Sequence, residues 1–189
     1  MPTPSEITGL VLAGGQSRRF GRDKALAEHE GRPYVQIVHD ALAPHCTEVL
    51  ISTGPTPRAY PVPVRVVLDL VPDGGPLAGL AAGLVEAKTP WLLAVAVDFP
   101  RLTPDALAPL LARSTDADVV VALDADGRGQ PVCALWRCAT VQPVVETRLK
   151  RRQLAMFGLL GALAVQEVEL APGALYNVNV PEDNGERRA

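Results

Sequence analysis

Short apolar runs alternate with helical periods along the chain, and the alternation predicts strands and helices in turn. Ile7-Thr8-Gly9-Leu10-Val11-Leu12-Ala13 is almost continuously apolar and closes on Gly14-Gly15, as a strand buried on both faces does. Beyond a polar loop, Tyr34, Ile37, Val38, Ala41 and Leu42 fall at i, i+3, i+4, i+7 and i+8, a helix period whose first turn suits Pro33 and whose end is helped by Pro44. Residues 48–52 and 64–68 read as strands around a loop holding Pro55, Pro57, Pro61 and Pro63. A second helix is predicted from Pro76 or Leu77 to about Lys88; its Gly79 and Gly83 each cost roughly 1 kcal/mol against alanine, which close packing would explain. Residues 91–97 form the strongest strand, and Thr103-Pro104-Asp105 supplies an N-cap and a first-turn proline for the helix after it. Two more strands follow at 118–123 and 132–136, then helical material over 141–161, a strand at 165–170 and a short one at 177–180. Strands alternating with helices imply right-handed crossovers and a mostly parallel, three-layer α/β/α sheet.

Composition limits what such a sheet could serve. At 189 residues, 48% hydrophobic and 21% charged, the chain is expected to be one domain that buries about 70% of its unfolded surface without help from disulfides or structural metal. A net charge of −3 and 4% aromatic content argue against a nucleic-acid partner, which would need a basic stripe or stacking platforms. Cys46, Cys133 and Cys138 lack the second pair of a zinc site and read as reduced thiols. No apolar run approaches the ~20 residues of a membrane span, and the first residues lack a signal-peptide pattern, so the expectation is a cytoplasmic protein with no membrane partner.

In an open parallel sheet, ligands gather at the carboxyl ends of the strands. The first strand runs into Gly14-Gly15-Gln16-Ser17-Arg18-Arg19-Phe20-Gly21-Arg22-Asp23-Lys24, which places four of the chain's 18 cations among three glycines. Glycines let backbone N–H groups approach a ligand and the cations neutralise it, so a phosphate ligand is the simplest reading. The spacing matches neither the common phosphate loop nor the dinucleotide fingerprint, which sets an oxidoreductase aside. A solvated surface loop could carry the same charges, although not the glycine pair at a strand end. Asp98, ending the strongest strand, should face the cleft and find a cation, and Mg²⁺ fits one well-placed carboxylate opposite a phosphate loop. Asp69 is the matching carboxylate on the neighbouring element; a turn cap is the plainer role for either. Asp73-Gly74-Gly75-Pro76-Leu77-Ala78-Gly79 leads into a helix whose N–H donors could meet a base edge or a phosphate. His29, His39 and His45 show no metal spacing, and no Ser-His-Asp arrangement is supported.

Leu12-Ala13-Gly14-Gly15-x-Ser17-x-Arg19-Phe20-Gly21-x-Asp23-Lys24-Ala25-Leu26 resembles the signature of nucleotidyltransferases with a Rossmann-like fold, and most closely that of the molybdenum cofactor guanylyltransferases. Gly75-Pro76-Leu77-Ala78-Gly79, Val97-Asp98-Phe99-Pro100 and Asn177-Val178-Asn179-Val180-Pro181-Glu182-Asp183 follow in the family's order. The Leu-Ala-Gly-Gly form favours the guanylyl branch over the related cytidylyltransferases. The resemblance implies transfer of GMP from GTP to the terminal phosphate of molybdenum-bearing molybdopterin, with release of pyrophosphate. By motif match, Leu12, Ala13, Gly14 and Gly15 border GTP, Lys24 contacts its phosphates, Asp69 helps to hold the nucleotide, and Asp98 carries Mg²⁺. Arg19 is matched to a phosphate contact, making Arg19, Lys24 and Asp98 the catalytic set. The N-terminal half is expected to bind nucleotide and the C-terminal half the acceptor, where Asn177 and Asn179 either touch the pterin or shape its side of the cleft. Molybdoenzymes or cofactor-delivery proteins are the implied downstream partners. Two departures stand out: Ile51-Ser52-Thr53-Gly54 occupies the place of an Asn-rich strand end, and Phe20 that of a methionine.

Such a transfer asks the protein to align the acceptor phosphate with the α-phosphorus and to screen two anions from one another. Arg18, Arg19 and Lys24 would stabilise charge on the departing pyrophosphate, and no general base is needed because the attacking phosphate is already anionic. The same loop and magnesium would serve a cytidylyltransferase or another nucleotidyltransferase acting on molybdopterin or a sugar or alcohol phosphate; a nucleotide-binding delivery module without catalysis is the alternative of another class, against which the intact Lys24 and Asp98 speak.

Overall fold

The computed structural model describes residues 1–14, 23–69, 71–112 and 116–177. In chain order the elements are β1 (Ile7–Leu12), a small hairpin of β2 (Glu28–His29) and β3 (Arg32–Pro33), α1 (Tyr34–Leu42), β4 (Glu48–Ser52) and β5 (Arg65–Val67). They continue with α2 (Gly75–Glu86), β6 (Trp91–Ala96), α3 (Pro104–Leu111), β7 (Val119–Leu123), β8 (Gly129–Arg137), α4 (Cys138–Lys150), α5 (Met156–Leu160) and β9 (Val165–Glu169).

Seven strands form one sheet in the order β5-β4-β1-β6-β8-β7-β9, parallel throughout except at β8, which runs antiparallel to both neighbours. Every residue of β1 and β6 is buried, as the continuous apolar runs of these strands require. α1 packs on β1 and β6 alongside α3, while α2 packs on β1, β4, β5 and β6 alongside α4, so helix layers cover the sheet. The chain lays down β1, β4 and β5 in one direction and then returns to place β6 on the other side of β1. That reversal opens a crevice beyond the carboxyl ends of the central strands.

The departures from expectation are local. β7 and β8 form a hairpin whose turn is built on Asp124: its Oδ1 accepts from the N–H groups of Asp126 and Arg128, each at 2.9 Å, while Gly127 takes φ 73°. The helical stretch expected over 141–161 begins earlier, at Cys138, and divides into α4 and α5 where Arg152 adopts φ 56°. Pro33 caps α1 from outside rather than entering its first turn. The strand expected at 177–180 lies, from residue 178 onward, outside the described residues. Among the described residues, no helix is long and apolar enough to cross a membrane.

Candidate nucleotide site

The end of β1 is held open between its neighbours. Ala13 N–H donates to the Ser52 carbonyl at 2.9 Å on the β4 side, and Val97 N–H donates to the Leu12 carbonyl at 3.3 Å on the β6 side. The chain then reaches Gly14, where a Cβ would stand 2.8 Å from the Gly54 nitrogen and 3.0 Å from Asp69 Oδ2. Any side chain there would collide with backbone, so the first glycine of the pair is required by close approach.

Two carboxylates flank this strand end with different partners. On the β6 side, Asp98 Oδ1 lies 3.0 Å from Lys24 Nζ; the lysine side chain is 14% exposed and the aspartate 34%. Lys24 opens a single 3₁₀ turn, Lys24–Leu26, which Asp23 caps by accepting from Ala25 N–H at 3.0 Å. The signature's Asp-Lys pair therefore has a division of labour: the aspartate shapes the turn and the lysine projects from it. On the β4 side, Asp69 is buried, with Oδ1 accepting from Ser52 Oγ at 2.5 Å. Burial raises its carboxyl above the ordinary range, an effect that hydrogen bonds from Ser52 and the Gly54 backbone partly offset.

Asp69 looks into a cleft of about 690 Å³, bounded by Gly14, by Thr53 and Gly54 after β4, and by Asp73, Gly74 and Gly75 at the start of α2. Arg58 also lines it. This arginine belongs to the proline-rich loop, which the sequence pattern treats as a connection, and its Nη1 pairs with Asp23 Oδ2 at 2.9 Å. One side of Asp23 thus sets the Lys24 turn while the other ties that turn to the loop across the cleft. Tyr60 sits nearby, and burial, chiefly, pushes its hydroxyl up to about 12.

Of the residues expected to act, Leu12, Ala13, Gly14, Lys24, Asp69 and Asp98 meet at this one edge of the sheet. Gly15, Arg18, Arg19 and Asn179 lie outside the described residues, and Asn177 is exposed near the last of them. The cation that Asp98 finds here is Lys24. Arg58 and the Ser52 contact were not anticipated; the advance signals were a charged residue in the loop after a buried strand and a strand end that departs from the family's Asn-rich form. The cysteines offer no competing chemistry: all three are free, and burial pushes Cys46 and Cys133 up to about 12 and Cys138 up to about 11.

A glycine-tight strand end, a lysine-aspartate pair and a cleft with a buried carboxylate at the carboxyl edge of a mostly parallel sheet fit a nucleotide-handling α/β protein. The model of the MobA-like NTP transferase domain matches residues 9–160. The chain belongs to that family and is an enzyme of the nucleotidyltransferase class. It is 33% identical over 186 residues to a probable molybdenum cofactor guanylyltransferase of Trichormus variabilis, covering 95% of this chain and 89% of that one. It is likewise 33% identical over 188 residues to the molybdenum cofactor guanylyltransferase of Vibrio atlanticus, covering 97% and 96%. The crystal structure of molybdopterin-guanine dinucleotide biosynthesis protein A from Archaeoglobus fulgidus superposes with a TM-score of 0.73 at 18% identity, over 93% of this chain and 94% of that one, and so shares the fold.

Proposed function

We propose that this enzyme transfers GMP from GTP to the terminal phosphate of molybdenum-bearing molybdopterin. An acceptor phosphate oxygen forms the new bond to the α-phosphorus as the bond to the β-phosphate oxygen breaks, and pyrophosphate leaves with that electron pair. The observation that carries the reading is the placement of different charged groups on the two sides of the end of β1. A buried carboxylate, Asp69, serves one side, and an ammonium-carboxylate pair, Lys24 and Asp98, serves the other. Guanine presents two adjacent N–H donors, which a fixed carboxylate accepts, whereas a triphosphate calls for the lysine. The relatives named as guanylyltransferases support the same choice of base.

Among the described residues, no three His, Cys, Asp or Glu side chains gather as a metal centre. A single half-buried carboxylate nevertheless fits Mg²⁺, which keeps several waters and takes its remaining oxygens from nucleotide phosphates. Asp98 would hold it, and the bound ion would neutralise phosphate charge. Lys24 would turn from Asp98 to the phosphates, and Leu12, Ala13, Gly14 and, by motif match, Gly15 and Arg19 would border the nucleotide. The acceptor falls to the C-terminal half.

The test is pyrophosphate release by the purified protein with Mg²⁺ and each of GTP, CTP, ATP and UTP, with and without molybdopterin. Release with GTP, dependent on the pterin, is the expected result. Release with CTP instead would make the enzyme a cytidylyltransferase, and no release with any nucleotide would point to a binding module.

A further inference from the structure

The residue that holds Asp69, Ser52, stands in the strand end that departs from the family's Asn-rich form, and no role has been assigned to it. Ser52 ends β4, is fully buried, and commits its hydroxyl proton to Asp69 Oδ1. α2 crosses directly over it. A Cβ on Gly79 would lie 2.6 Å from Ser52 Oγ and 3.3 Å from Ser52 Cβ, so the hydroxyl has its place only because residue 79 carries no side chain. The other carboxylate oxygen faces Gly14, where a Cβ would come within 3.0 Å, and the Gly54 backbone supplies a further hydrogen bond. Asp69 is therefore gripped from β4, from the loop after it and from the end of β1, leaving the cleft as its open side.

We propose that Ser52 is a positioning residue for nucleotide recognition: its hydroxyl, seated by Gly79, aims the Asp69 carboxylate into the cleft where the base binds. This rests on Asp69 being a nucleotide contact, as proposed above. The serine differs in kind from a direct ligand, because its one proton already belongs to the bond with the aspartate. The same hydrogen bond favours the ionised carboxylate against the burial that opposes it, so its loss raises the Asp69 carboxyl further. The other charged groups at the cleft are Arg58 from the proline-rich loop and Asp73 before α2, with Lys24 and Asp98 on the far side of β1. None of them is altered by changing Ser52.

Ser52→Ala removes one buried hydroxyl and little volume. In the nucleotide-free variant, carboxyl NMR should show the Asp69 titration moved to higher pH. With GTP, KM should rise about tenfold, the loss expected for a hydrogen bond to a charged group, while kcat stays near wild type. The pH below which GTP binding fails should rise with the Asp69 titration. Gly79→Ala, which keeps the serine but crowds its hydroxyl, should shift both in the same direction. In an Asp69→Asn background, Ser52→Ala should add nothing to KM. An unmoved Asp69 titration in the folded variant overturns the proposal, as does a moved titration with unchanged GTP affinity. A wild-type enzyme that ignores GTP would instead overturn the substrate assignment, and the titration would still report whether Ser52 governs Asp69.

Discussion

Lys24 and Asp98, held 3.0 Å apart, each supply the countercharge the other needs in the protein alone. Under the proposed function, a triphosphate with its metal would offer both of them a more highly charged partner, making the pair a point of exchange and not a structural rivet. Only partly shielded from water, it adds little to stability, since pairs of this exposure are screened. On the proposed reading its value lies in catalysis. Lys24→Ala should lower kcat for pyrophosphate release by about 10²–10³-fold, the usual cost of losing a group aimed at charge developing in the transition state. Lys24→Arg should recover little, because a planar fork on a 3₁₀ turn does not replace a point charge. Asp98→Ala should abolish most turnover, and raising Mg²⁺ should not restore it. Normal GMP transfer by that variant would sink the metal assignment, and both variants should unfold at the wild-type denaturant midpoint.

At the scale of elements, α2 shows how the sheet sets the sequence of a helix. Gly79 and Gly83 stand one turn apart on the side that meets β1 and β4, and a Cβ at Gly83 would run into the Leu10 side chain. Alanine there would gain roughly 1 kcal/mol of helix propensity and lose about 1–3 kcal/mol to overpacking. Gly83→Ala should therefore lower the urea midpoint, and a raised midpoint would show that the layers are looser than this packing implies. The two glycines could be foreseen as packing residues because the helical apolar pattern ran through them. β1, β4 and β6 were equally legible, since a continuous apolar run that ends in Gly, Ser or Asp has the form of a strand buried on both faces with a polar carboxyl end. The β2–β3 hairpin was not, because strands of two residues have no period to detect and their turn rests on Glu30 and Gly31 at positive φ. The break between α4 and α5 was hidden for a similar reason: Arg152 in the left-handed region carries no glycine or proline to announce it. In the site, Lys24, Asp69 and Asp98 were visible as polar ends of apolar runs or of the glycine loop. Arg58 was not, because its meeting with Asp23 depends on the path of a proline-rich loop across 35 residues of sequence.

For the molecule as a whole, the proposed function makes the carboxyl edge of the sheet the place where stability is given up for recognition. Burial holds Asp69 above its ordinary value of 3.8, so the native protein binds that proton more tightly than the unfolded chain does. The sign follows from linkage: with the folded value above the unfolded one, this group's contribution to stability is greatest in acid, declines as pH rises through the interval between the two values, and is level above it. Once that proton is lost, the fold carries a buried charge that its core does not need. Asp69→Asn keeps an acceptor for Ser52 and remains neutral, so it removes the decline. Urea midpoints of the variant should equal those of wild type in acid and exceed them towards neutrality, while GTP affinity falls. A variant destabilised equally at both pH values would mean that the Ser52 and Gly54 hydrogen bonds outweigh the cost of burying the charge, leaving Asp69 as much a structural residue as a functional one. The expected outcome, a more stable protein that no longer holds its nucleotide, would place the cost of base recognition at a single carboxylate beneath the end of β1.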